Sequence, residues 1–172
     1  AFLAMFALLS IAFKSYFLPL IILSALPFGF CGAVIGHVFF GKGLSMISYW
    51  GIGAACGVVV NDNLVLVDYI NRIRQSGKHL LEAVIEAGVI RFRPIIITSI
   101  TTFISLMPIM LEPSVQANFL KPAVISLTCG VVLCAPVTLI LVPCLMVIGE
   151  DIKEVISRIP QAIKRQFNPN TV

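Results

Sequence analysis

The chain has 172 residues, 59% hydrophobic and 12% charged, with a mean hydropathy of +1.03 and a formal net charge of +4. A soluble domain is nearer 45–50% apolar and about 25% charged, so the composition excludes a water-soluble globular protein and indicates an integral membrane one. The five cysteines (Cys31, Cys56, Cys129, Cys134, Cys144) lie in apolar segments without a C-x-x-C pair, and only His37 and His79 are histidines, which argues against a disulfide framework and a metal site.

A span needs about 20 mostly apolar residues. Residues 1–13 are apolar but short and read as a truncated span. No basic leader or A-x-A cleavage site precedes them, so no signal peptide is assigned, and the chain reads as the C-terminal part of something longer. Lys14 and Ser15 break this segment. The second span is expected over residues 19–40, kinked at Pro27 and Gly29, with a turn at Gly41-Lys42-Gly43. The third is expected over residues 45–70, followed by a polar connector, residues 71–79. Residues 80–90 have the pattern of a short amphipathic helix, with Leu81, Val84, Ile85 and Val89 on one face and Glu82 and Glu86 on another. Pro94 suits a first helical turn and opens a fourth span to Leu111. A loop, residues 112–121, precedes a fifth span at residues 122–148, in which Pro136 and Pro143 imply kinks of the kind neighbouring helices tolerate in a membrane. The expected fold is thus an all-α membrane bundle of about five transmembrane helices, the first truncated. A membrane domain over residues 1–148 is followed by a basic, amphipathic C-terminal tail over residues 149–172, frayed at its NPNTV end.

Alternating spans put ten basic residues on one side: Lys14, Arg72, Arg74, Lys78, Arg91, Arg93, Lys153, Arg158, Lys164 and Arg165. The other side holds only Lys42 and Lys121. The positive-inside rule then makes the connector, the amphipathic helix and the C-terminus cytoplasmic. The positive charge reports orientation, and no nucleic-acid partner is expected.

The most informative residue is Asp62. It lies with Asn61 and Asn63 inside the run IGAACGVVVNDNLVLVDYI, otherwise apolar enough to cross a membrane. A carboxylate at such depth costs at least ~2.5–3.5 kcal/mol and commonly marks an ion or proton path, the alternative being a structural polar contact between helices. At about 100° per residue, Ala55, Val58, Asp62, Val65 and Tyr69 form one stripe, which should carry Asp62 into the bundle. Gly53 and Gly57 form a G-x-x-x-G, a common helix-packing spacing. Asp68 and Arg72 read as an interfacial i,i+4 pair. Thr98, Thr101, Thr102 and Ser105 recur at helical spacing, suited either to bonding back to their own helix or to facing Asp62. No phosphate-binding loop or catalytic motif is present, so neither an enzyme nor a nucleotide engine is expected, and transport would draw on an ion gradient without a cofactor.

The stretch GVVVNDNLVLVDYINRIRQSGKHLLEAVIEAGVIRFRPIIITSITTFISLMPIMLE, with AFKSYFLPLIILSALPFGFCGAVIG before it and VTLILVPCLMVI after it, resembles the C-terminal membrane half of resistance–nodulation–division (RND) transporters. The likeness is greatest to the hydrophobe/amphiphile efflux permeases and is most specific in the R-x-R-P-I-x-x-T-S block from Arg91 to Ser99. It implies a proton antiporter of the bacterial inner membrane that exports drugs or other amphiphiles. It also implies partners: the N-terminal half and periplasmic domains of the same permease, two further copies in a homotrimer, a periplasmic adaptor and an outer-membrane channel. The family's relay positions fall on Asn61, Asp62, Arg91 and Thr98. Asn61 stands where well-studied drug pumps have a lysine, so the usual exchange between that lysine and an aspartate pair cannot run unchanged, and Asp62 becomes the candidate titrating group. The competing reading is a non-transporting membrane scaffold or assembly subunit that uses the same helices to oligomerise through Gly53 and Gly57, with an RND-related protein-export or lipid-transport subunit lying between the two.

Overall fold

The computed structural model describes residues 2–167, with side-chain surroundings for residues 3–152. Six helices follow one another: α1 (Phe2–Phe13), α2 (Phe17–Leu23), α3 (Leu26–Phe39), α4 (Met46–Gln75), α5 (Leu80–Leu111) and α6 (Val115–Phe167). Together, α2 and α3 make one apolar span, Phe17–Phe39, and Met46–Gln75, Leu80–Leu111 and Val115–Ile152 are also long and apolar enough to cross a bilayer. The protein is an all-α membrane protein.

The short segment α1 ends at Lys14, whose φ of 48° places a non-glycine residue in the left-handed region and turns the chain into α2. The kink expected near Pro27 lies between α2 and α3, with Pro27 in the first turn of α3, where its missing N–H costs nothing. Ser45 opens α4 with a capping box, its hydroxyl accepting from the Ser48 N–H while the Ser48 hydroxyl accepts from the Ser45 N–H. The helix runs past Ile70 to Gln75, taking up part of the expected connector, and stops where Gly77 adopts φ 94°.

Two expected boundaries are absent. The amphipathic helix of residues 80–90 and the fourth span are one continuous helix, α5, with Pro94 inside it. Likewise α6 begins at Val115, shortening the expected loop to residues 112–114, and passes through Pro122, Pro136 and Pro143. It also continues without a break past residue 148. Each internal proline removes one helical donor, but in lipid the surrounding backbone has no water to turn to, so continuing the helix costs less than opening it. Residues 168–172, the NPNTV end, lie outside the described residues, as do the side chains of the basic tail.

Close backbone approach holds the bundle together. A Cβ added to Gly51 of α4 would overlap the Ala123 carbonyl of α6, and one on Gly36 of α3 would overlap Cys129 of α6. Gly130 faces Ala55 at 3.0 Å from an added Cβ. These small residues bring α3, α4 and α6 together, the form of packing that replaces hydrophobic burial where the solvent is itself apolar. At the basic end, Leu66, Val67 and Ile70 of α4 pack with Ile21 and Ile22 of α2, Ala83 and Ala87 of α5, and Val142 of α6. Aromatic residues Phe39, Phe40, Tyr49 and Trp50 are exposed at the opposite end, as interfacial anchors are.

Candidate functional site

On α4, the fully buried stripe runs through Ser48, Ile52, Ala55, Val59, Asn63, Leu66 and Ile70. Asp62 lies beside this stripe rather than at its centre. It is half-buried, as are Val58, Val65 and Tyr69, and Asn61 is exposed. The expected stripe through Asp62 is therefore the edge of the packed face, rotated by one residue from its middle, which Asn63 occupies. Among the described residues Asp62 makes no hydrogen bond and no ion pair. The amide nitrogen of Asn63, though its residue is 1% exposed, also has no partner among them.

Arg91 meets α4 at Tyr69, its guanidinium carbon 4.8 Å from the ring centroid, a cation–π contact. The Arg91 Nε is buried without a hydrogen-bond partner among the described residues. Tyr69 lies about 10 Å along the helix from Asp62 at 1.5 Å per residue, so Arg91 and Asp62 share an edge of α4 but do not touch. Thr98 bonds back to the Ile95 carbonyl at 2.9 Å, and Thr102 to the Thr98 carbonyl at 2.8 Å. Their hydroxyls serve their own helix, and no hydrogen bond joins Thr98 to Asp62. Asp68 and Arg72 form the expected i,i+4 pair at 2.8 Å.

Gly53 and Gly57 face open space: among the described residues no atom lies within 4 Å of a Cβ built on either. The glycine that packs within the chain is Gly51, two residues earlier. Any packing by Gly53 and Gly57 needs a surface outside these residues.

Sequence reasoning passed over one buried polar unit. His37, 3% exposed, joins α3 to α4: its Nδ1 lies 3.0 Å from the Ala33 carbonyl and its Nε2 2.8 Å from the Ser48 hydroxyl. With Nδ1 donating to the carbonyl, Nε2 accepts from Ser48, so one neutral tautomer satisfies both contacts. The signal was present in Ser45-x-x-Ser48, one residue after the Gly-Lys-Gly turn, a cap pattern that places Ser48 one turn into the helix facing His37.

Residues 1–150 match the model of the AcrB/AcrD/AcrF family. Over 155 residues the chain is 29% identical to Multidrug resistance protein MdtC of Proteus mirabilis (strain HI4320), an alignment that covers 90% of this chain and 15% of that protein. The chain thus spans about one-seventh of the curated relative it matches. With the family model covering most of its length, including the Asn61–Asp62 region and Arg91, the chain belongs to the AcrB/AcrD/AcrF family of RND permeases.

Proposed function

We propose that this chain is the C-terminal membrane part of a proton-driven efflux transporter of the bacterial inner membrane, and that Asn61, Asp62, Arg91 and Thr98 contribute to the proton relay that powers export of drugs or other amphiphiles. The observation that carries the reading is Asp62: a carboxylate within an apolar span, half-buried, and without a polar partner among the described residues. A purely structural carboxylate at that depth would be expected to have its partner beside it. Asp62 and exposed Asn61 instead border the side of α4 that also carries open Gly53 and Gly57. In this reading that side receives the N-terminal half of the permease, which brings the complementary titrating groups. Protonation would remove the charge on Asp62 and bias the helices between two packings. The ten-to-two distribution of basic residues supports a cytoplasmic C-terminus. The homotrimer, adaptor and outer-membrane channel follow from the family.

The open Gly53–Gly57 face also supports a second reading, in which the helices serve only assembly. Asp62→Asn in the intact protein separates the two. A relay role predicts efflux lost by at least about tenfold with expression and assembly unchanged, in the range general acid–base groups contribute. Normal efflux with altered assembly would establish the scaffold reading instead.

A further inference from the structure

The first turns of α5 divide into three sectors around the helix. Leu80, Ala83, Val84 and Ala87 are buried in the core. Glu82 and Glu86 form an acidic edge, with Glu86 paired to Lys78. Between these two sectors, Leu81, Ile85, Val89 and Phe92 fall within about 80° of one another at about 100° per residue. They are 53%, 60%, 72% and 53% exposed, an apolar arc that nothing among the described residues covers. Further along α5, Ile97, Ile100, Ile104 and Met107 are exposed on the adjoining arc, while the hydroxyls of Thr101 and Ser105 lie on a different side. One aliphatic band thus runs from Leu81 through the span.

The count of basic residues places this segment in the cytoplasm, but its packing partner places it deeper. The span Phe17–Phe39 has 23 residues. That is about 34 Å at 1.5 Å per residue, little more than the ~30 Å of hydrocarbon to be crossed. It must therefore enter the bilayer close to Phe17. Ile21 and Ile22, one turn inside, share a packed cluster with Ala83, Val84 and Ala87. Phe17 itself lines one cavity with Leu80, Arg74 and Glu150. Leu80 is thus level with the point of entry, and residues 81–92 lie on the bilayer side of it. Arg93, exposed beside the band and in no ion pair among the described residues, is free to reach lipid phosphate. We propose that the arc of Leu81, Ile85, Val89 and Phe92 is a lipid contact. Acyl chains of the leaflet at the basic end cover it, the acidic edge turns to headgroups and water, and Arg93 extends to phosphate. This contact holds whether or not Asp62 titrates.

The test is photo-crosslinking of the intact protein in native membranes. p-Benzoylphenylalanine replaces Val89, Ile85 or, as the water-side reference, the exposed Gln75 at the end of α4, and phospholipid adducts are read by mass spectrometry. Positions 89 and 85 should each give at least about tenfold more phospholipid adduct than position 75, the partition expected when one aliphatic side chain leaves water. Both side chains are exposed, so their replacement leaves the packed face of α5 intact, and expression at the unmodified level checks this. An adduct yield at either position no higher than at 75 would put the arc in water. Crosslinks to another segment of the permease in place of lipid would give it a protein cover. Either result would overturn the proposal.

Discussion

The two sides of α4 carry the same residue types and use them oppositely. On one side Gly51 and Ala55 are buried against α6 and Asn63 is buried beside them. On the other Gly53, Gly57 and Asn61 stand open. Gly51 and Gly53 are separated by a single residue, as are Asn61 and Asn63, and that separation turns the side chain by about 200° on a helix of 3.6 residues per turn. Residue type thus says that a helix can be approached closely or can carry polarity, and angular position says by whom.

The largest expected effect tests the packed side. Gly51→Leu places a side chain into the Ala123 backbone and should destabilise the protein by about 3 kcal/mol or more, the upper range of overpacking. Gly57→Leu meets nothing among the described residues, so its thermal midpoint in detergent should stay near that of the unmodified protein. A drop as large as that of Gly51→Leu in the intact protein would mean that a further surface covers Gly57, which sharpens the comparison into a map of what lies outside these residues.

Ser48 is the polar anchor of the packed side. Ser48→Ala removes both a capping contact of α4 and the hydroxyl facing His37 Nε2, and should cost about 1–2 kcal/mol. A cost below half that in thermal melts would show that the buried imidazole does not depend on Ser48. Asn63→Leu goes the other way: it deletes a buried amide nitrogen that has no partner among the described residues, and should be neutral or stabilising by up to about 1 kcal/mol. Clear destabilisation would mean that the amide has a partner, water included. Asn61→Leu on the open side should leave the melt unchanged.

The smallest effect lies beyond both sides, where Lys78 in the connector pairs with Glu86. The hydrogen bond from Lys78 to Glu86, then the carboxylate's charge, hold the ammonium above its ordinary value of 10.5. A raised folded value contributes stability below the unfolded one and loses it as pH rises through the folded one. Lys78 is exposed and its ion pair is open to solvent, so Lys78→Met should differ little from the unmodified protein in thermal melts near neutral pH. Whatever difference exists should fall with added salt and be lost as pH rises through the raised folded value.

The spans were legible because apolar length is a strong signal, and the Asp68–Arg72 pair because its spacing is local. The breaks were less so. Pro94 and Pro122 mark helix starts in water, but the bilayer reverses that preference by withholding any other partner for the backbone, and both residues lie inside helices. The centre of the packed face was misplaced by one residue, from Asp62 to Asn63, because a stripe drawn through apolar residues alone cannot tell neighbouring protein from lipid. Gly51 was legible as a small residue, but its contact with Ala123 joins positions far apart in the chain and has no local signature.

The link between His37 and Ser48 is made between residues eleven apart. Closing a loop of about ten residues takes on the order of 10–100 ns, which is immediate on the timescale of translation at about 5–20 residues per second. The α3–α4 hairpin can therefore leave the insertion machinery with its register already set. The notches that receive α6, at Gly36 and Gly51, are then in place some seconds before the residues that fill them have been synthesised. Biogenesis becomes ordered: a two-helix template first, and a third helix that reads it.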